Sequence, residues 1–312
     1  MSILIARDEM FEKPQRLLHS LALFFLVALC FAHTNVPAYA AESSLRLGYI
    51  SSFTGDLDAR DAAVAMDSLS RELGAQVDCA VQSRAFDEAA QLIRALQDDQ
   101  LDFVIVPTAS YLSASKRATL ELAVSRVSGG KIAQKYLLLV RKDRDISKIQ
   151  QLKGLKLAVP KHETLPLIYL NTLLLKNRMP KKEHFFSTIE NKDKSIQVVH
   201  AIFFGQADVG LVNALSYHTA IAMNPQIDSR VQVLASSPDL IEFVSLFRRG
   251  YSARDKKKVF NVFATLRSTP RGRQLLTLLK ADDLAPVTDD DLRSTAALIE
   301  EHQRLVLKGD KL

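Results

Sequence analysis

The chain has 312 residues, a formal net charge of +6 at neutral pH and a hydrophobic fraction of 47%. That hydrophobic fraction is ordinary for a globular protein. The charge excess is moderate, and the densest basic run, residues 256–258, is typical of a solvated helix face. A mild attraction to anionic solutes or membrane surfaces is compatible with this charge. The composition points to no more specific partner.

The first forty residues have the parts of a secretory signal peptide. An apolar run over residues 17–32 follows basic residues, and Ala38 and Ala40 provide the small side chains of a signal-peptidase site. The alternative is an uncleaved membrane anchor, but the run is shorter than the roughly 20 residues that span a bilayer. We therefore expect a signal peptide over residues 1–40, cleavage near Ala40/Ala41, and a periplasmic protein that binds no nucleic acid.

The part of the chain after the signal peptide is long enough for two domains. Removing residues 1–40 leaves 272 residues (312 − 40), which suits two domains of modest size. Cys79 is the only cysteine in this part of the sequence, so no intramolecular disulfide can form. The fold must therefore be stabilised by its hydrophobic core.

The first half of the mature sequence alternates between strand-like and helix-like segments. Apolar residues recur at helical spacing in the longer segments, and the short segments are rich in β-branched residues. The pattern predicts strands at residues 46–50, 76–81 and 101–106, a helix over 57–73 that Gly74 ends, and a helix over 86–96. Such repetition with short connections is typical of a mostly parallel sheet flanked by helices.

A second series of the same kind follows. It predicts strands at residues 136–140, 155–159, 209–212 and 240–247, helices over 167–175 and 196–202, and two or three helices at the end of the chain. Extended passages near 134–142 and 240–248 join the two series. We therefore expect a discontinuous first lobe, residues 41–138 plus 243–312, and a second lobe, residues 139–242. Two lobes joined in this way can hinge, and the cleft between them is a natural ligand site.

The order of these segments resembles a known family. The phrases LDFVIVPTASY, KYLLLVRKD with ISKIQQLKGLKLAV, and FFGQADVGLVNALSY are similar to those of phosphonate-, phosphate- or phosphite-type periplasmic binding proteins of ABC transporters. An aspartate just before a β-branched strand occurs once per series, at Asp102 and Asp208. The resemblance implies an α/β type II periplasmic binding protein fold: two Rossmann-like lobes joined by two extended crossover segments.

The resemblance also implies a ligand site in the cleft, formed by loops at the carboxyl ends of strands. Four segments of this chain correspond to that site: residues 51–54, 107–111, 161–165 and 191–195. The candidate ligand-binding residues in them are Ser51, Ser52, Phe53, Thr108, Tyr111, Glu163, Thr164, Lys194 and Ser195. Each has a purely structural alternative, such as core packing for Phe53 and Tyr111, helix capping for Thr164, or a solvated helix start for Lys194.

The sequence departs from the family where the ligand's oxygens would be held. The family has Ser-Thr-Ser-Gly at residues 163–166, where this chain has Glu-Thr-Leu-Pro, so only Thr164 matches. The histidine of a Gly-Ser-His-Asp stretch is also missing from residues 193–196. A helix N-terminus there still suits an anion, but Glu163 would repel a phosphonate while Lys161 or Lys194 would attract it. Phosphonate and a different small polar or partly aromatic solute both stay open.

Three functional classes are compatible with these observations. The first is a solute-binding protein, expected as a monomer, that delivers a small molecule to a membrane ABC permease. The second is a periplasmic sensor subunit that reports ligand occupancy to a membrane receptor kinase. The third, an enzyme, has weak support, because the sequence has no nucleophile elbow, P-loop or Gly-x-Gly-x-x-Gly motif. The adjacent pair His162 and Glu163 is the one enzyme-like feature, and no cofactor or metal site is expected.

Overall fold

The computed structural model describes residues 44–51, 59–161 and 163–309. The predicted signal peptide and its cleavage site lie outside these residues, as do Ser52, Phe53 and His162. Within the described ranges, no helix combines the length and the apolar character needed to cross a membrane. The described residues form one compact unit.

In the described part of the chain, the first series contains five strands and three α-helices. Their bounds are β1 (Ser44–Ile50), α1 (Ala59–Val77), β2 (Ala80–Phe86), α2 (Ala89–Gln97), β3 (Phe103–Pro107), α3 (Thr108–Leu112), β4 (Leu120–Leu122) and β5 (Val124–Val127). The helix predicted to end at Gly74 continues to Val77, so that prediction was wrong by one turn. The following strand consequently starts later than predicted, at Ala80.

The second series and the end of the chain also alternate between strands and helices. The second series comprises β6 (Tyr136–Arg141), β7 (Lys156–Pro160), α4 (Thr164–Lys176), α5 (Lys182–Phe185), β8 (Thr188–Lys192), α6 (Ser195–Phe203), β9 (Val209–Asn213), α7 (Ala214–Met223), α8 (Gln226–Arg230) and β10 (Val231–Ser236). The chain then finishes with β11 (Phe243–Arg248), α9 (Ala253–Thr265), α10 (Pro270–Leu278), β12 (Asp283–Pro286) and α11 (Arg293–Gly309).

Ten of these twelve strands form two five-stranded sheets, which we use to define the two lobes, and β5 and β12 pair antiparallel in a separate two-stranded sheet. Lobe 1 has the strand order β2-β1-β3-β11-β4, and lobe 2 has the order β10-β6-β9-β7-β8. In each sheet the strand entering from the other lobe, β11 or β6, runs antiparallel to its central neighbour, β3 or β9. Two sheets of mixed direction, each flanked by helices, make the type II periplasmic binding protein architecture. The predicted fold class is confirmed.

Both sheets are covered on both faces, which explains their nearly continuous apolar strands. Successive side chains of a strand point to opposite faces, and in β3 Phe103 and Ile105 join one buried cluster while Val104 and Val106 join another. In β6 the side chains of odd and even residues separate in the same manner into two further clusters. Each lobe thus has two core layers, one on each face of its sheet.

The aspartate that recurs once per lobe has a structural role. In lobe 1, Asp102 accepts the backbone N–H of Arg46 at 2.9 Å, and its own N–H donates to the Arg46 carbonyl at 2.8 Å. In lobe 2, Asp208 makes the same two backbone bonds with Lys156, both at 3.0 Å. These aspartates precede β3 and β9, so the motif joins the starting ends of two parallel strands, opposite to the ends where ligand loops are expected.

A left-handed residue lies three positions before each of these aspartates. Asp99 has φ +56° and Gly205 has φ +73°, and each follows the end of a helix, α2 or α6. Such a residue is a common way to end a helix and redirect the chain. The repeated sequence motif therefore combines the end of a helix with an aspartate that hydrogen-bonds the adjacent strand. It occurs in both lobes for the same structural reason.

The last helix, α11, contacts both lobes. Its first turn is held near the second crossover, where Thr295 Oγ1 accepts the buried backbone N–H of Ile241 at 3.0 Å. Further along, Leu298 packs in a lobe 2 cluster and Glu301 pairs with Lys176 of α4 at 2.6 Å. The lobe limits predicted from the sequence stay a prediction, since α11 contacts both lobes.

Candidate functional site

A cavity of about 470 Å³ lies between the two lobes. This volume is in the range of sites that hold small molecules. The lining from lobe 2 comprises Pro160, Lys161, Glu163, Asp193, Lys194, Ser195, Ile196, Asn213, Leu215 and Ser216. The lining from lobe 1 and the crossovers comprises Arg126, Ser128, Gln134, Tyr136, Glu242, Phe243 and Lys280. The lobe 2 groups follow the carboxyl ends of β7, β8 and β9, where open α/β sheets bind ligands.

Three helices of lobe 2 begin at this cavity. Glu163 is the N-cap of α4, Ser195 is the first residue of α6, and Asn213 is the N-cap of α7. The Asn213 side chain caps its helix by accepting the N–H of Ser216 at 2.8 Å, whereas the Glu163 side chain makes no capping bond. Helix N-termini carry a partial positive charge, so this wall of the cavity favours a negatively charged ligand group.

The carboxyl group of Glu163 is directed toward α6. Its Oε1 accepts a hydrogen bond of 3.2 Å from Ser195 Oγ, which lies 3.4 Å from Asn213 Nδ2. Its Oε2 is buried and has no hydrogen-bond partner among the described residues. Burial first, and then the nearby charge of Glu242, raise the pKa of Glu163 to about 8, although Ser195 and the surrounding cations act in the opposite direction. Burial therefore favours the neutral form of this carboxyl over the charged one.

A mostly buried ion pair forms the opposite wall. Arg126 Nη2 lies 2.9 Å from Glu242 Oε2, and the two side chains are only 22% and 18% exposed. The Arg126 guanidinium also stacks on the Phe243 ring, 5.2 Å from its centroid. Burial raises the pKa of Glu242 and outweighs the opposing effect of Arg126. Tyr136, which also lines the cavity, is buried, and this burial holds the pKa of its phenol well above the usual value.

The rim of the cavity carries exposed charges. Lys161 Nζ pairs with Asp193 at 2.7 Å, which leaves little net charge at that point. Lys194 is exposed, lines the cavity and has no ion pair to a described residue. Its ammonium group is therefore available to an anion that enters the cleft.

The structure brings together three of the nine predicted site residues. Glu163, Lys194 and Ser195 line the cavity within about one turn of the α4 and α6 N-termini. Thr164 is exposed as the first residue of α4, and the helix cap is Glu163 instead. The cap expected at Thr164 is thus displaced by one residue.

Ser51, Thr108 and Tyr111, the lobe 1 candidates that the structure describes, do not line this cavity. Tyr111 is 3% exposed and packs in a lobe 1 core cluster, with its hydroxyl 3.4 Å from Asp289 Oδ1. Thr108 is fully buried, donates its backbone N–H to the Glu242 carbonyl at 2.8 Å, and has a buried hydroxyl without a described partner. Ser51 Oγ bonds the Phe86 carbonyl at 3.2 Å. Ser52 and Phe53 lie outside the described residues.

Sequence reasoning missed the residues of the opposite wall and of β9. Glu242 and Arg126 each interrupt an apolar, strand-like run, and Asn213 directly follows the buried strand β9. A charged residue within a buried strand must be paired or must face a polar cavity. This signal could have identified Glu242 and Arg126. Lys280 and Gln134 offered no comparable signal, because each lies in a polar segment.

The described residues contain no group of three or more His, Cys, Asp or Glu side chains that could hold a metal ion. The one enzyme-like pair of the sequence involves His162, which lies outside those residues. The cavity combines hydrogen-bonding groups, charges of both signs and helix N-termini, an arrangement that can bind a polar or charged small molecule.

Comparison with known proteins identifies the family. A family profile described as "ABC transporter, phosphonate, periplasmic substrate-binding protein" matches residues 47–292. Because this match spans most of the chain, the protein belongs to that family. Its members are periplasmic substrate-binding proteins of ABC transporters and not enzymes. No curated protein matches this sequence.

Solved structures share the fold at low sequence identity. A Xanthomonas citri protein bound to ATP is 18% identical, with 84% of this chain and 98% of that chain covered at a TM-score of 0.59. The binding protein component of a Pseudomonas aeruginosa phosphonate ABC transporter is 18% identical, with 86% and 89% covered at 0.58. A Prochlorococcus marinus protein in complex with methylphosphonate is 17% identical, with 85% and 98% covered at 0.59. At such identities the likeness concerns the fold.

Proposed function

We propose that this protein captures a small polar or anionic solute in the cavity between its lobes and delivers it to a membrane ABC importer. The observation that carries this proposal is a cavity of about 470 Å³ that both lobes line with charged and hydrogen-bonding groups. Three helix N-termini and Lys194 favour an oxyanion on the lobe 2 side. Proteins of the same fold hold methylphosphonate and ATP, both of which carry phosphorus oxyanions.

A thermal-stability and calorimetric screen tests this function. The solutes are methylphosphonate, inorganic phosphate, methanesulfonate, a neutral amino acid and an aromatic carboxylate. A solute present at 100 times its dissociation constant is expected to raise the free energy of unfolding by about 2.7 kcal/mol. We expect the largest shift from a small oxyanion, and a screen in which no solute shifts the unfolding transition would contradict the proposal.

A matched pair of variants locates the binding site. Lys194→Met removes a cation that faces the cavity, and we expect it to weaken oxyanion affinity about tenfold, since a hydrogen bond to a charged group is worth roughly 1.5 kcal/mol or more. Lys257→Met removes an exposed lysine of α9 and should leave affinity unchanged. Equal effects of the two substitutions would indicate a general charge effect and no binding in the cleft.

We also propose that the mature protein begins at Ala41. The apolar run and the small residues at positions 38 and 40 support this cleavage. Intact-mass spectrometry of the protein recovered from the periplasm is expected to show a chain of residues 41–312. A periplasmic or membrane-associated chain that retains residues 17–32 would instead support an uncleaved anchor.

A further inference from the structure

The carboxyl group of Glu163 is the least expected group in a cavity that favours anions. Its Oε2 is buried without a partner among the described residues, while Oε1 already accepts the hydroxyl of Ser195. A buried polar atom without a partner is destabilising and rare in folded proteins. In a ligand cavity, such an atom indicates a hydrogen bond that the ligand completes.

The surrounding charges determine whether this group is an anion or a neutral acid. The charge of Glu242 acts on Glu163, and Arg126, which pairs with Glu242, offsets part of this effect. Burial together with Glu242 outweighs the effects of Ser195, Arg126 and Lys280, so the pKa of Glu163 is about 8. The other titratable groups that line the same cavity are Tyr136, Lys161, Asp193 and Lys194. His162, the preceding residue, lies outside the described part of the chain.

The wall that contains Glu163 is otherwise suited to an oxyanion. The N-termini of α4, α6 and α7 meet there, and Lys194 stands at the rim. An ionised Glu163 would repel an oxyanion at this position, whereas a protonated Glu163 has an O–H to donate. A carboxylic acid that keeps its proton donates a strong hydrogen bond to an anionic acceptor.

We propose that Glu163 binds the solute as a neutral carboxylic acid, with the O–H at Oε2 donating to an oxyanion of the solute. This inference rests on the proposed function. It makes a glutamate at the N-terminus of α4 compatible with an anionic ligand. It also makes binding depend on proton concentration, because the protein must hold this proton to bind.

The test measures affinity by isothermal titration calorimetry between pH 7 and pH 9. The probes are methanesulfonate, whose charge is constant over this range, and methylphosphonate. For a Glu163 pKa of about 8, wild-type affinity for methanesulfonate is expected to fall about tenfold from pH 7 to pH 9. Glu163→Gln, which has an amide donor and cannot ionise, should bind within a few-fold of wild type at pH 7 and show no such fall.

Glu183→Gln is the matched control. Glu183 is 51% exposed and pairs with Lys182, so this variant should keep the wild-type pH dependence. Three results would overturn the inference. The Glu163→Gln variant could retain the pH dependence of wild type, or it could lose binding at every pH. The third result is a wild-type protein that binds methylphosphonate but not methanesulfonate. A wild-type protein that binds none of the screened solutes removes the proposed function together with this inference, whereas the other three results remove the inference alone.

Discussion

Replacing Arg126 with methionine is expected to lower the free energy of unfolding by about 3 kcal/mol near pH 8. Arg126 forms the 2.9 Å ion pair with Glu242 in the cavity wall, where both side chains are mostly buried. Removing one member of a buried pair leaves an uncompensated charge, at a cost of roughly 3–5 kcal/mol. We take the lower end because both side chains keep some exposure. Chemical denaturation followed by circular dichroism measures the change.

The pH dependence of this variant follows from Glu242. Burial already raises the pKa of Glu242, and without Arg126 that pKa should rise further. A carboxyl with a raised folded-state pKa destabilises the fold at pH values above its unfolded pKa and costs nothing below it, where both states carry the proton. The cost of Arg126→Met should therefore be smaller at pH 4 than at pH 8, and an additional Glu242→Gln substitution should recover part of the lost stability at pH 8.

Arg293→Met provides the control for this prediction. Arg293 forms an ion pair of the same length, 2.9 Å, with Asp290, but these side chains are 74% and 79% exposed. Exposed pairs contribute about 0–1 kcal/mol, so this variant should unfold almost as wild type does. If the two arginine variants lose similar stability, burial of the Arg126 pair is not the cause.

Replacing Asp102 with asparagine is expected to cost about 3 kcal/mol. The Asp102 side chain is 3% exposed and accepts charge-assisted hydrogen bonds from Arg46 at 2.8 Å and Arg248 at 2.8 Å. It therefore links β1, β3 and β11, which are the three central strands of lobe 1. Loss of a buried charge with several such partners falls in the upper range of single substitutions. Asp99→Asn is the control, because Asp99 is 73% exposed and lies 3.5 Å from the same Arg248.

Acid titration gives an independent measurement of Asp102. Burial alone would raise the pKa of this carboxyl, but the hydrogen bonds from Arg46 and Arg248 outweigh burial and lower it. The stabilisation is therefore complete above the unfolded pKa of about 3.9 and disappears as the pH falls through the lower folded-state value. The stability difference between wild type and Asp102→Asn should shrink in acid. A difference that stays constant down to pH 2 would contradict this account.

Local pattern was sufficient for most of the fold. The mainly apolar runs before Pro107 and Pro160 correctly predicted strands, because a strand covered on both faces must be apolar on both sides. The end of α1 was predicted wrongly, since Gly74 lowers helix propensity without forbidding helix. The helix continues to Val77, whose side chain is buried in a core cluster with residues of β1. The order of the segments was enough for the family resemblance, which the profile match confirms.

The sequence predicted only some of the residues that line the ligand site. Glu163, Lys194 and Ser195 were predicted from the family resemblance, which implies a ligand site in loops at the carboxyl ends of strands. That implication agrees with the general rule that such loops meet at one edge of a parallel sheet. The Arg126 and Glu242 wall was missed because these residues belong to strands far apart in sequence, and only the tertiary structure brings them across from Glu163. The sequence was enough to predict a type II periplasmic binding protein fold and a solute site in the cleft between its lobes. The protonation state of Glu163 depended on which charges the folded chain places beside it, because burial and neighbouring charge set a pKa, and neither is a property of the local sequence.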